Sequence, residues 1–267
     1  MNTKIAQVAA YVLGIPLEYV KIEASDTLNG ANAMVTGGSV TSESVCFAVR
    51  KACNTLNERL KPIKDSLKNN APWTEIVQMA WMKNVNLISS DHYKMGDMEN
   101  YNIYGLALTE LEVDILTGNH LIKRVDILED VGESLSPYMD IGQIEGAFVM
   151  CLGYWLTEQL VYDRTTGQLM TNRTWNYKPP GAKDIPIDFR IELLPGSPNP
   201  AGFLRSKATG EPPACLAISA AFALQHAVQS ARKDAGLKRE WIRFGAPSTP
   251  ETIVLSAGSD ISTFALE

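Results

Sequence analysis

The run Lys207-Ala-Thr-Gly-Glu-Pro-Pro places one carboxylate, Glu211, between a glycine and two prolines at the front of an apolar helical pattern. A residue before proline is disfavoured in the helical region, so Glu211 is expected to be extended at a helix mouth. A carboxylate there lies near the positive end of the helix dipole and near any anion bound at it. Two roles follow, a first-turn acid that favours the helix or a positioned general base, and the residues alone leave both open.

Two further segments combine glycine with polar groups at a helix start. Thr36-Gly-Gly-Ser-Val40 precedes a helical pattern. Paired glycines let a backbone approach a ligand closely, and the free N–H groups of a helix start favour an anion. The same segment also reads as a flexible loop with Ser39 as N-cap. Asp140-Ile-Gly-Gln-Ile-Glu-Gly146 opens another helix, with Asp140 and Gln143 in the spacing of a capping box. Gly142 and Gly146 each cost roughly 1 kcal/mol relative to alanine in a helix, which implies that something packs close to this helix end. Three helix starts of this kind could together enclose an anionic cofactor.

The elements that must position them follow from periodicity. Ile5, Val8, Ala9 and Val12 mark a first helix, stopped by Gly14 and Pro16. A short strand is expected over 19–24 and a loop over 26–38. A helix should then run from Ser39 or Thr41 to Pro62, and another from Pro72 to Met82. Strands are expected over 85–88, 103–115 and 121–128, the last two joined at Thr117-Gly-Asn119 as a hairpin. A long helix over 141–162, a turn at Thr166-Gly167, a strand over 189–194 and a final helix over 213–235 complete an α+β reading, with long helices on mixed sheets.

Composition narrows the function classes. The chain has 267 residues, 45% of them hydrophobic and 20% charged, which suits a globular protein with a sizeable core. A net charge of −6 without a basic run argues against nucleic acid as partner. No apolar stretch reads as a bilayer span, and the N-terminus lacks a signal-peptide pattern. Cys46, Cys53, Cys151 and Cys215 show no metal-ligand spacing and are expected as buried thiols in the cytosol. His92, His120 and His226 also lack such spacing and read as surface or hydrogen-bonded residues, and Trp73 and Trp81 as core.

The three segments resemble the late motifs of the molybdenum hydroxylases, the aldehyde oxidase and xanthine dehydrogenase family. Asn2-Thr-Lys-Ile-Ala-Gln-Val-Ala, Gly37-Gly-Ser-Val40, Asp140-Ile-Gly-Gln-Ile-Glu-Gly-Ala-Phe and Lys207-Ala-Thr-Gly-Glu-Pro-Pro carry the resemblance. Leu56-Asn-Glu-Arg-Leu-Lys-Pro62, Glu129-Asp-Val-Gly-Glu-Ser-Leu-Ser-Pro137 and Ile185-Pro-Ile-Asp-Phe189 extend it over nearly the whole chain, in family order. The wording of 26–43 resembles aldehyde oxidase, particularly the insect type, more than xanthine dehydrogenase.

The resemblance implies that residues 1–267 form the C-terminal portion of a molybdopterin-binding domain of the xanthine oxidase type. It implies contacts to the molybdenum–molybdopterin cofactor from Gly37, Gly38, Ser39, Val40, Gln143 and Thr209, with no protein side chain ligating the metal. Glu211 would be the base that deprotonates water activated at the metal, so that an aldehyde becomes a carboxylic acid or a heteroaromatic ring is hydroxylated. Electrons would leave through two [2Fe–2S] clusters and FAD to oxygen, in a cytoplasmic homodimer. The iron–sulfur, FAD and first molybdenum portions of the family are not in this sequence, and four scattered cysteines cannot hold two clusters. Met1 accordingly reads as an internal position, and the chain alone is expected to be inactive. Thr209 stands where the family commonly has valine. Xanthine dehydrogenase, acting on purines with NAD, is the alternative of the same chemistry. An inactive remnant or a small-molecule binder is the alternative of a different class.

Overall fold

The computed structural model describes residues 1–28, 30, 35–67, 70–237, 242 and 245–258. They divide into two units. One comprises Met1–Asn102, Glu133–Ser136 and Pro198–Ala208; the other comprises Ile103–Gly132, Pro137–Ser197 and Thr209–Glu267.

The first unit is helical. Helix α1 (Asn2–Leu13) ends as expected at Gly14, which is left-handed with φ 69°. It packs on α2 (Thr41–Ser66), which in turn packs on α3 (Trp73–Met82). Val8, Cys46, Phe47 and Phe203 make one buried cluster, and Leu60, Ile63, Ile76 and Ala80 make a second. Burial of such side chains contributes roughly 1.5–3 kcal/mol each. That explains why α2 continues past Pro62, where the sequence suggested a stop: Ile63, one residue on, is 3% exposed in the second cluster. Trp73 joins this cluster, but Trp81 is 73% exposed and is not core. No strand forms over 19–24 or 85–88. A 3-10 turn at Leu17–Tyr19 takes up the start of the former. Of the expected loop 26–38, residues 29 and 31–34 lie outside the described residues.

The second unit is built on a mixed three-stranded sheet, the strand content found among the described residues. Strand β1 (Gly105–Val113) pairs antiparallel with β2 (His120–Glu129), and β3 (Asp188–Leu193) pairs parallel with β2. The hairpin between β1 and β2 is organised by Asp114, which accepts hydrogen bonds from Leu116 N–H (2.9 Å) and Thr117 Oγ1 (2.8 Å). Helix α4 (Pro137–Leu156) buries Ile144, Phe148, Leu152 and Leu156, a strict four-residue repeat. The final helix is broken at Ala217 into α5 (Pro212–Leu216) and α6 (Ile218–Asp234), and α7 (Pro250–Ser256) follows. By length and composition Pro212–Asp234 could cross a bilayer, contrary to the reading above. Its break and the burial of Ala217, Ala220, Leu224 and Val228 in the core cluster make it a core segment instead. Residues 259–267 lie outside the described residues.

One stretch of the first unit is shaped against local preference. Leu204 (φ 46°) and Arg205 (φ 67°) are consecutive left-handed residues without being glycine, a conformation that costs on the order of 1–3 kcal/mol each. Their surroundings hold them there. Arg205 C=O accepts from Glu133 N–H (2.8 Å) and Asn199 N–H (2.9 Å), and Ser206 Oγ donates to Phe203 C=O at 2.7 Å. Gly202 lies against this turn, where a Cβ would sit 2.0 Å from Ser206 O and 2.4 Å from Asn199 Nδ2. Gly202→Ala is therefore expected to destabilise the protein by roughly 1–3 kcal/mol through overpacking. Urea unfolding measures this, and a loss below about 0.5 kcal/mol would show that the turn relaxes freely.

Candidate active site

Helix α4 carries the first candidate group. It begins at Pro137, a turn earlier than the sequence suggested, and ends at Leu156 rather than near 162. Proline with its fixed φ and no N–H suits a first helical position. Asp140 is therefore inside the first turn and is not an N-cap, so no capping box with Gln143 forms. Asp140 is 2% exposed and accepts a hydrogen bond from Thr209 Oγ1 at 3.3 Å. The positive end of the helix also favours a carboxylate in this turn. Gln143 points to the exposed side of α4 together with Gly142 and Gly146. A Cβ at either glycine would meet nothing within 4 Å, so no described residue packs on this face.

Glu211 is the N-cap of α5, which packs on α4. Its backbone is helical (φ −95°, ψ −30°), not extended as the following proline suggested. Its C=O accepts from Ala214 N–H at 3.0 Å, and Pro213 and Ala217 are buried just behind it. Closing this turn and packing it outweigh the local bias. The Glu211 side chain is exposed, and Thr209, two residues earlier, is 5% exposed. Gln143 and Glu211 thus lie exposed on adjoining helices of one unit, while Thr209 is turned inward onto Asp140.

Gly37, Gly38, Ser39 and Val40 belong to the other unit. Val40, not Ser39, is the N-cap of α2, and no side chain caps the helix. Gly38 (φ 66°) and Ser39 (φ 55°) are both left-handed, and a Cβ on Gly37 or Gly38 would meet nothing within 4 Å. An uncapped start of a 26-residue helix behind an open diglycine offers backbone donors to an anion.

Behind α4 lies a group that the sequence did not single out. Glu129, the last residue of β2, is 0% exposed, and neither carboxylate oxygen has a hydrogen-bond partner among the described residues. Burial, then the charges of Asp140 and Asp130, push its carboxyl up to about 8. It is a neutral acid at pH 7. Alternate burial of Val125, Ile127 and Glu129 along β2 turns this acid inward, and nothing in a sequence states that an acid there lacks a partner.

Elsewhere, Cys46 and Cys53 are buried as expected, whereas Cys151 is half-buried and Cys215 exposed, on the outer sides of α4 and α5. His120 is not hydrogen-bonded through Nδ1, and burial lowers its basicity. No metal-binding group of His, Cys, Asp or Glu occurs among the described residues.

The sequence model of the molybdopterin cofactor-binding domain family matches residues 1–186. The chain belongs to this family. It is 42% identical over 240 residues to indole-3-acetaldehyde oxidase of Arabidopsis thaliana, covering 86% of this chain and 18% of that protein. It is 39% identical over 265 residues to xanthine dehydrogenase/oxidase of Gallus gallus, covering 95% of this chain and 19% of that protein. Among solved structures, the fold matches quinoline 2-oxidoreductase of Pseudomonas putida 86 (TM-score 0.71, 24% identity), over 96% of this chain and 35% of that one. It likewise matches the aldehyde oxidoreductase of Desulfovibrio gigas (TM-score 0.72, 18% identity), over 96% of this chain and 28% of that one. The chain therefore spans about a fifth of the length of the curated relatives it matches. Taken separately, the open glycines and uncapped helix start of the first unit and the exposed carboxamide of the second each suit an anionic, hydrogen-bonding group such as the family's cofactor, and no metal-ligating group occurs among the described residues.

The ionisation of Glu129 has a checkable sign. Its folded value lies above its ordinary 4.5, so the folded state binds the extra proton. Its cost to stability is absent below about pH 4.5, grows as pH rises, and is complete above about pH 8. At roughly 1.4 kcal/mol per unit, the total is several kcal/mol. Tm should fall between pH 5 and 8.5, and Glu129→Gln should flatten that fall. Parallel Tm–pH curves for the two proteins would show that Glu129 does not titrate in the fold.

Proposed function

We propose that residues 1–267 are the C-terminal portion of the molybdopterin-binding domain of a molybdenum hydroxylase that converts aldehydes to carboxylic acids, with heteroaromatic rings as further substrates. The observation that carries this reading is the arrangement of the exposed Glu211. It stands at the N-cap position of α5, which packs on α4, while Thr209 two residues before it is tied to Asp140 in the turn that precedes Gln143.

In this reading Glu211 is the general base. An exposed carboxylate at a helix start can take a proton from water within hydrogen-bond reach. The molybdenum cofactor, when bound, supplies a Lewis acid for that water and accepts two electrons from the substrate. Gly37, Gly38, Ser39 and Val40 hold its anionic part through backbone N–H groups. The Gln143 carboxamide offers both a donor and an acceptor to it. The side chain of Thr209 is turned into the protein, so contact there falls to the main chain.

The whole protein would pass electrons through two [2Fe–2S] clusters and FAD to oxygen, as a cytoplasmic homodimer, with neither nucleic acid nor membrane as partner. The aldehyde preference rests on the aldehyde-oxidase wording of 26–43. A purine substrate with NAD is the second reading, supported by xanthine dehydrogenases at 38% and 39% identity. The chain alone, without the electron-transfer portions, would neither keep the cofactor nor turn over. Stoichiometric molybdenum in the purified chain would contradict that.

Glu211→Gln in the cofactor-loaded enzyme tests the base. Turnover should fall by about 10²–10⁴-fold with molybdenum content unchanged. Turnover within about tenfold of the parent removes Glu211 from this role.

A further inference from the structure

Glu43 lies in the first turn of α2, just after the diglycine loop, yet it is 4% exposed. An isolated carboxylate in a protein interior is costly unless strong hydrogen bonds replace water. No Lys or Arg makes an ion pair with it among the described residues. Its two oxygens are instead used separately. Oε1 accepts from Phe203 N–H at 3.1 Å, and Oε2 accepts from Tyr101 Oη at 2.5 Å. Tyr101 Oη in turn accepts from Ala208 N–H at 3.0 Å. Burial, then the bond to Glu43, raise the phenol well above its ordinary value, so it stays a donor.

The same face of α2 holds Phe203 by its ring. Glu43, Phe47 and Arg50 recur at i, i+4 and i+7. The Phe47 and Phe203 rings meet edge to face at 5.1 Å, and the Arg50 guanidinium lies 5.0 Å from the centre of the Phe203 ring. Phe203 opens the left-handed pair Leu204–Arg205, a strained turn that persists only when its surroundings over-determine it. A single helical face therefore fixes both ends of residues 203–208, three residues ahead of Glu211.

We propose that Glu43 is a positioning residue that, through Phe203 and Tyr101, fixes the run entering the Thr209–Glu211 segment. The proposal rests on the reading of Glu211 as the base. It assigns Glu43 and Tyr101 no contact with substrate or cofactor.

Amide hydrogen exchange in the full chain tests it. Tyr101→Phe deletes one oxygen and should raise exchange at Ala208 N–H at least tenfold. Glu43→Ala should do the same at both Phe203 and Ala208. Glu43→Gln, which keeps an acceptor for Phe203 and a polar partner for Tyr101, should restore rates to within threefold of the parent. Exchange around Leu60, Ile76 and Ala80 should not move. If Glu43→Ala fails to fold, Tyr101→Phe carries the test. Less than a tenfold change at Ala208 in Tyr101→Phe, or equal acceleration across the whole first unit, overturns the proposal. In the cofactor-loaded enzyme, Tyr101→Phe should lower kcat at least tenfold with KM within twofold. Glu211→Gln should leave exchange over 203–208 unchanged. Normal turnover in that variant would defeat the base assignment while the exchange result still decides the clamp.

Discussion

A carboxylate inside a protein must be hydrogen-bonded, placed near compensating charge, or protonated, because water no longer stabilises its charge. Three of the four buried acids among the described residues illustrate different solutions. Glu43 takes two donors, from Phe203 and Tyr101. Asp140 sits in the first turn of α4 and accepts from Thr209. Glu129 has no partner among the described residues and keeps its proton. The first of these holds residues 203 and 208 within the first unit, and the second holds Thr209 within the other.

The apolar framework does the complementary work of orienting helices. In α4 the four-residue repeat Ile144, Phe148, Leu152, Leu156 turns one side into the core, and this leaves Gly142, Gln143 and Gly146 on the opposite side. The expectation that something packs closely on those glycines is not met by any described residue. The open face instead suits a ligand.

Periodic signals carried most of the architecture. The hairpin, the first helix and the presence of α2 were legible because each carries a regular apolar pattern. Reading failed where burial overrode a local rule. Helix α2 passes Pro62 because Ile63 is packed, and Glu211 is helical before Pro212 because the next turn packs on α4. Expected strands over 19–24 and 85–88 have the right residues but no partner strand among the described residues, and a strand is defined by pairing rather than composition.

The sequence by itself determined the membership of the family and supplied the residues proposed to carry the chemistry. Diglycine, Gln143 and Glu211 are local motifs whose residue types are visible without coordinates. It could not distinguish a cap from a tether at Asp140, or an ordinary first-turn acid from a buried clamp at Glu43. Tertiary structure decided both, because the state of a carboxylate depends on groups brought near it from distant parts of the chain. Glu43 meets a residue 160 positions away, and Asp140 one 69 positions away. No pattern within a single segment records such a meeting.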